Sequence, residues 1–425
     1  MTGGGARLDA QAIEELRQRP IRPVEKGFAL LAARAEISAA TLAEQRLPAL
    51  GGPFTMPLLV LRDSAVRRNT EAMAAWCEAA AVLLAPHGKT TMAPQLVARQ
   101  LAAGAWAVTV ATAGQAQVYR SFGASRILIA NELTDPAGIA WLAGELTADQ
   151  DWECFAYVDA IAGVRLLDEA LAAAGAARPL RVLVELGFPG GRTGCRSIAD
   201  ALAVAAAVGQ APTLALAGCA GYEGGIGQDT SAETLDAVAG FCRRLAELSS
   251  VIGGSLVSAG GSAYFDVVAR ELKTAAGQAG SAVVLRSGCY LTHDHGEYAT
   301  IGPAARGTGP RLAPAIELWA PVLSCPEPGL ALACAGRRDV SFDQGLPIPR
   351  HVRRPDGTIE PAAQLTVTRL DDQHAYLRVP AGMVLAPGDL VGFGISHPCT
   401  ALDKWRVIPV VDDDYLVIDA VHTFF

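Results

Sequence analysis

Of the four lysines in this sequence, Lys26, Lys89, Lys273 and Lys404, one has a setting unlike the rest. Lys89 lies in Pro86-His87-Gly88-Lys89-Thr90-Thr91, directly after a short apolar run. A lysine amine held partly neutral by desolvation or by a neighbouring positive charge can condense with an aldehyde cofactor as a Schiff base. A surface lysine following a strand is the simpler account, and Lys89 alone does not decide between the two. Four glycine-bearing segments supply the context. They are Gly187-Phe188-Pro189-Gly190-Gly191-Arg192-Thr193-Gly194, Gly221-Tyr222-Glu223-Gly224, Ser258-Ala259-Gly260-Gly261-Ser262 and Arg286-Ser287-Gly288-Cys289-Tyr290. Glycine lets backbone approach a ligand closely, and successive amides beside a hydroxyl form an anion cup suited to a phosphate. Turns need glycine in any case, so the weight rests on the repetition.

A second constellation, Ser396-His397-Pro398-Cys399-Thr400, is followed by Asp403-Lys404-Trp405-Arg406. On an extended strand His397 and Cys399 share a face, because side chains two apart point the same way. Imidazole with thiolate suits zinc, and two protein ligands leave positions open to water or substrate. The structural alternative is a packed histidine beside a buried cysteine. His293-Asp294-His295 has the spacing of a competing metal site and is read as lining the mouth of the pocket. Arg337-Arg338-Asp339 and Phe342-Asp343-Gln344-Gly345 precede Pro347, where they either face a substrate or form a capped turn.

Stepping along the chain, short apolar runs ending in Gly, Pro or polar residues recur eight times. They are Val82–Pro86, Ala107–Thr112, Ile127–Ala130, Cys154–Val158, Val182–Glu185, Leu214–Ala220, Leu256–Ala259 and Val283–Leu285. Between them lie Ala-, Leu- and Glu-rich stretches of helical spacing such as Ile198–Val208 and Thr234–Leu248. Connections of crossover length imply parallel strands, and eight strand–helix units close most economically as a (β/α)₈ barrel. An open doubly wound sheet is the alternative. In a barrel the ends of the strands converge on one mouth, where the lysine and glycine segments fall. A further run, Pro57–Arg62, precedes helix Val66–Glu78 and has no place among the eight, so we assign it to a second domain. After about Ile301 helical periodicity fades and prolines multiply. Leu365–Leu370, Ala375–Val379, Leu390–Gly394 and Tyr415–Ile418 read as antiparallel strands, with turns at Asp371–Asp372, Pro387–Gly388 and Asp412–Asp414. The expected organisation is an α/β chain: an N-terminal segment over 1–56 packing with the β domain, a TIM-like barrel over 57–301, and a second, mainly β domain over 302–425 that carries the metal site.

At 425 residues the chain has ample material for two domains. Its most apolar stretch, Ala201–Gly221, is broken by Gly209, Gln210 and Pro212, so it reads as a helix and a buried strand and not as a membrane span. A net charge of -8 and the absence of any Lys/Arg run argue against a nucleic-acid surface. The first twenty residues carry acids where a signal peptide needs an apolar core, and the nine scattered cysteines do not form a disulfide framework. We therefore expect a cytoplasmic protein.

Lys89 in its P-H-x-K-T setting, the glycine segments and H-P-C-T together resemble the fold-type III (alanine racemase-like) pyridoxal-phosphate enzymes, and within them the D-serine dehydratase and D-threonine aldolase branch. The resemblance runs from about Pro57 to near the C-terminus. It implies pyridoxal 5'-phosphate on Lys89, with His87 and Arg192 completing the catalytic set and Arg192 beside the pyridine ring. The loop around Arg192 follows an insertion-like Phe188-Pro189. It further implies cofactor contacts from Tyr222 and a phosphate cup from Gly260, Gly261, Ser262, Gly288, Cys289 and Tyr290. His397 and Cys399 become ligands of zinc or another divalent metal. The aldolases typically have aspartate in place of that cysteine, so Cys399 favours the dehydratase reaction, which converts a β-hydroxy D-amino acid into a 2-keto acid and ammonia. Retro-aldol cleavage to glycine and an aldehyde is the alternative, and a non-catalytic cofactor-homeostasis protein is a third. The resemblance also implies a homodimer acting on a small amino acid, with active sites near the subunit boundary.

Overall fold

The computed structural model describes residues 5–33 and 36–425, apart from the side chains of residues 274–279. The strand before the repeats, β1 (Leu58–Arg62), is followed by eight more: β2 (Leu83–Leu84), β3 (Val108–Val110), β4 (Arg126–Glu132), β5 (Glu153–Val158), β6 (Leu180–Leu186), β7 (Leu214–Gly221), β8 (Leu256–Ala259) and β9 (Ala282–Leu285). The eight runs read from sequence are β2 to β9. They form one parallel sheet in the order β2-β9-β8-β7-β6-β5-β4-β3. A parallel bridge between His87 and Thr109 links its two ends, with the amides of Trp106 and Thr109 donating to the carbonyls of Leu84 (2.7 Å) and Pro86 (2.9 Å). The sheet is thus a TIM-like barrel, as expected, rather than an open doubly wound sheet.

Alternation along each strand fills the interior. Ala85, Ala107, Leu128, Phe155, Tyr157, Leu183, Ala217, Ala220, Leu256 and Val284 make a separate apolar cluster inside, while their sequence neighbours pack outward on the helices. Four outer helices are capped at Thr112 and Asp135, close behind β3 and β4, and at Ser197 and Ser231, after the longer loops that follow β6 and β7. Each of these side chains accepts from the amide three residues on, which satisfies an otherwise unpaired helix N-terminus. The helix Ile198–Val208 and β7 divide the most apolar stretch where Gly209 and Pro212 break it. Among the described residues no helix is long and apolar enough to cross a membrane.

The second sheet has ten strands: β1, β10 (Ile316–Glu327), β11 (Leu330–Ala333), β12 (Ile348–Arg353), β13 (Ile359–Pro361), β14 (Thr366–Leu370), β15 (Ala375–Arg378), β16 (Leu390–Gly394), β17 (Val407–Val411) and β18 (Val417–His422). Here β1 pairs antiparallel with β10 and parallel with β17, so Leu58–Arg62 lies inside this sheet. Ile21, Phe28, Ile37, Leu42, Leu50 and Phe54 from the N-terminal segment pack with Trp319, Val407 and Tyr415 on it. The same segment also reaches the barrel, where the Asp9 amide donates to the Phe122 carbonyl. From Arg286 onward the chain crosses between the two sheets, and the His295 amide donates to the Ile395 carbonyl at 2.8 Å. That crossing brings the H-P-C-T loop over the barrel mouth.

Candidate active site

Lys89 sits in a single turn of tight helix, Gly88–Thr90, just past β2. The turn is pressed against the Tyr119 ring: a Cβ on Gly88 would lie 2.7 Å from it, and the Tyr119 hydroxyl donates to the Gly88 carbonyl at 2.8 Å. Only glycine permits that approach. Lys89 is half-buried, and its amine is held below the ordinary lysine range chiefly by burial, with Arg192 and Arg286 adding to the effect against the opposing pull of Cys399 and Cys289. This is the environment a nucleophilic or proton-transferring lysine requires. The His87 ring, also pushed well down by burial, is neutral, and its buried Nδ1 has no hydrogen-bond partner among the described residues.

The ends of β7, β8 and β9 form the opposite wall. Glu223 is fully buried, and its carboxylate accepts the amides of Gly260 (3.0 Å) and Gly261 (2.6 Å). The Arg286 guanidinium donates to Ser258 Oγ (2.8 Å) and the Gly221 carbonyl (2.7 Å), while Ser287 Oγ donates to the carbonyls of Gly260 and Gly261. These bonds join three strand ends into one rigid rim. Beside it the Arg192 guanidinium lies 4.2 Å from the centre of the Tyr222 ring. The Arg192 loop is anchored by Asp159, which accepts the Gly194 amide at 3.0 Å, and by Arg196, which donates to the carbonyls of Gly191, Thr193 and Gly194.

From the second domain come His397 and Cys399. His397 Nδ1 is 2.7 Å from Asp343 Oδ2, and Asp343 Oδ1 accepts from Thr400 Oγ1 at 2.5 Å. The carboxylate thereby fixes the ring orientation and leaves Nε2 for a ligand, the usual support for a metal-binding histidine. Burial lowers the affinity of His397 for a proton, but Cys399 and Asp343 outweigh it and push the imidazole up to about 9. Cys399 Sγ lies 3.5 Å from Cys289 Sγ and 3.6 Å from Thr90 Oγ1. Their mutual hydrogen bond pulls the Cys399 thiol well down and drives that of Cys289 well up. His397 and Cys399 do not share a strand. Strand β16 ends at Gly394 and Cys399 opens the short helix Cys399–Leu402. Pro398, already helical at φ -61°, turns the chain, so their common direction comes from this turn and not from strand alternation.

Lys89, His87, Arg192, Tyr222, Gly261, Ser262, Gly288, Cys289, His397 and Cys399 all line one cavity of about 310 Å³. Two residues of the expected cup do not line it. The Gly260 amide is taken up by Glu223, and the buried Tyr290 ring turns into the core, where Gln100 Nε2 donates to its hydroxyl at 2.9 Å. The histidines of His293-Asp294-His295 do not line it either: His293 is buried, and His295 packs against Gly394 at the crossing between sheets. Asp339 belongs to a turn, accepting from the Gly336 amide and from Lys26. Gln344 does face the cavity.

Sequence reasoning overlooked Glu223, which stands beside Tyr222 but acts from behind the rim, and Arg286, whose place at the end of β9 was available as a signal. It also passed over Glu297 and Tyr298, for which spacing offers no signal because they lie on the crossing segment. The Glu297 carboxyl is raised by burial and its Oε2 has no partner among the described residues; the Tyr298 ring is edge-on to His397 with centroids 6.5 Å apart. Outside the cavity lining, Glu132, Asp159 and Glu185 bring three carboxylate oxygens within 4.8 Å of one another, and burial, then Glu185 and Asp159, push the Glu132 carboxyl upward.

Residues 62–285, more than half of the chain, match the family described as alanine racemase, N-terminal domain. The chain belongs to that family of fold-type III pyridoxal-phosphate enzymes. Residues 315–411 match the serine dehydratase domain family. The chain is 28% identical over 330 residues to a D-threonine aldolase from Arthrobacter sp., spanning 77% of this chain and 80% of that protein. It resembles the crystal structure of D-threonine aldolase from Filomicrobium marinum with a TM-score of 0.73 and 26% identity, covering 87% of this chain and 94% of that one. D-threo-3-hydroxyaspartate dehydratase from Delftia sp. HT23 has the same fold, with a TM-score of 0.70, 22% identity and coverage of 87% and 97%.

Proposed function

We propose that this protein is a pyridoxal-phosphate-dependent lyase of β-hydroxy D-amino acids which, with zinc at His397 and Cys399, eliminates the β-hydroxyl and yields a 2-keto acid and ammonia. The observation that carries this reading is the meeting, in one cavity, of a half-buried Lys89 from the barrel, its amine held below the ordinary lysine range, with the His397–Cys399 pair of the second domain. The residues fit the cofactor. There is one amine at the barrel mouth, an orphaned buried His87 Nδ1, and a rim whose glycines leave no room for side chains: a Cβ on Gly288 would lie 2.6 Å from the His87 carbonyl. Lys89, Arg192, Tyr222, Gly261, Ser262, Gly288 and Cys289 would hold it, while Gly260, through Glu223, and Tyr290 support the rim from behind.

When bound, the pyridine ring supplies an electron sink for charge left at Cα, and the zinc supplies a Lewis acid for the departing hydroxyl. The chain does the rest. Lys89, depressed toward neutrality, takes the proton from Cα; the neutral His87 adds no positive charge beside it. Arg192 and Tyr222, packed on each other, would hold the cofactor ring. His397, oriented by Asp343, and Cys399 would hold the ion. Glu297 and Tyr298 line the cavity beside His397.

A thiolate in place of the aspartate of the aldolases supports elimination. The second reading, retro-aldol cleavage to glycine and an aldehyde, is supported by the identity of the two aldolases named above. Incubating the metal-loaded enzyme with D-serine, D-threonine, 3-hydroxy-D-aspartate and their L-isomers, with and without chelator, separates them. Keto acid and ammonia from D-isomers, lost with chelator, is the expected result; glycine and aldehyde would replace elimination by the aldolase reaction, and no turnover at all would leave a cofactor-homeostasis protein. In the same reading the enzyme is a cytoplasmic homodimer, which light scattering of the purified protein would test for mass.

A further inference from the structure

The two metal residues come from the second domain, but the nearest additional soft donor comes from the barrel. Cys289 Sγ lies 3.5 Å from Cys399 Sγ. We propose that Cys289 is a third protein ligand of the ion, so that the metal is gripped across the domain boundary by His397, Cys399 and Cys289 and keeps one open position for substrate. This rests on the zinc reading above and deepens it.

Two thiolates bound to one tetrahedral zinc at about 2.3 Å stand roughly 3.8 Å apart, so the observed separation needs to widen by only a few tenths of an ångström. A disulfide would require the sulfurs to close to about 2.0 Å. Cys289 is also held in place. Gly288 before it is packed so tightly that a Cβ would meet both the His87 carbonyl and Thr90 Oγ1 at 2.6 Å, and the Cys289 carbonyl accepts the His293 amide at 2.7 Å. Cys399 in turn contacts Thr90. Both sulfurs are therefore fixed from the Lys89 turn, and both line the substrate cavity. Nitrogen, sulfur and sulfur with one open site is a ligand set of catalytic zinc. Among the described residues only Glu132, Asp159 and Glu185 bring three ligating atoms within 4.8 Å of one another, so the His397 ring has to close on the two sulfurs as the ion enters.

The test is X-ray absorption at the zinc edge of the wild-type holoenzyme, which needs no variant and counts sulfur neighbours directly. Two sulfurs at about 2.3 Å are expected; one sulfur overturns the proposal. Zinc affinity measured against a competing chelator provides the second readout, with far-UV circular dichroism and the thermal midpoint reporting that each variant is folded. Cys289→Ser should weaken zinc by at least the roughly 10- to 100-fold that loss of a supporting residue costs, and Cys399→Ser similarly. If Cys399→Ser loses zinc while Cys289→Ser binds it as wild type does, the third ligand is wrong and the His397–Cys399 site stands. If wild-type protein binds no zinc, both fail together.

Discussion

Replacing Asp343 by asparagine isolates what its charge does for the metal. Asparagine keeps the shape and retains one acceptor for His397 Nδ1–H, while its amide group faces Thr400 Oγ1, a hydroxyl that can accept. What disappears is the charge behind two short bonds, 2.7 Å to His397 and 2.5 Å to Thr400. A hydrogen bond to an ionised partner exceeds a neutral one by about 1 to 1.5 kcal/mol. The Asp343 side chain is 38% exposed, so solvent screening favours the lower figure. About 1 kcal/mol on the His397 bond corresponds to a loss of roughly fivefold in metal affinity. Asp343→Ala, which also frees the ring to rotate, should cost about 10- to 100-fold, the range of such supporting residues. Zinc competition against a chelator at constant pH, on cofactor-loaded protein, measures both. The chromophore should be unchanged, because Asp343 touches only the metal side. Equal zinc affinity in wild type, Asp343→Asn and Asp343→Ala would refute the claim that this carboxylate orients a metal ligand.

Two further perturbations probe the scaffold. Glu223→Gln exchanges a carboxylate accepting two amides for a group with one oxygen, so the Gly260–Gly261 turn loses about 2 to 3 kcal/mol; urea denaturation should show it, together with weaker cofactor binding, and an unchanged midpoint and affinity would show that the turn holds itself. His293 and His422 are buried, and burial pushes both down to about 4. Their unfolded forms take up a proton below about pH 6.5 while the folded forms do not, so the stability they contribute is present above that pH and is lost as pH falls from 6.5 toward 4, by up to about 1.4 kcal/mol per pH unit for each. The slope of urea stability against pH in that window should therefore flatten in His422→Gln, and an unaltered slope would exclude His422 as a contributor.

The barrel was legible because each of its strands is a short run of apolar, often β-branched residues closed by Gly, Pro or a polar residue, and all eight form. The second sheet was legible only in part. Strands β10 and β17 carry Pro321 and Pro409, which count against a strand when read in sequence. In the fold Pro409 lies in β17 between β1 and β18, opposite Ala420, within a sheet that supplies the packing a local reading cannot see. Site residues followed the same division. The Lys89 turn and the Arg192–Tyr222 contact stem from motifs at strand ends. Cys289 and Tyr290 are adjacent, so one faces the cavity while the other enters the core, a distinction the motif does not carry. Glu297 and Tyr298 reach the cavity only because the chain crosses between sheets there.

The central claim concerns one amine. Lys404 contacts the Thr400 carbonyl and Asp403, Lys26 lies over Trp405 against Asp339, and Lys273 is exposed on the helix Phe265–Ala279; Lys89 alone of the four lines the cavity. Borohydride reduction of the cofactor-loaded protein, proteolysis and mass spectrometry will locate the pyridoxyl group. The account predicts it on the peptide containing Lys89, and nowhere in Lys89→Ala. A label on Lys26, Lys273 or Lys404, or on no lysine, would contradict it.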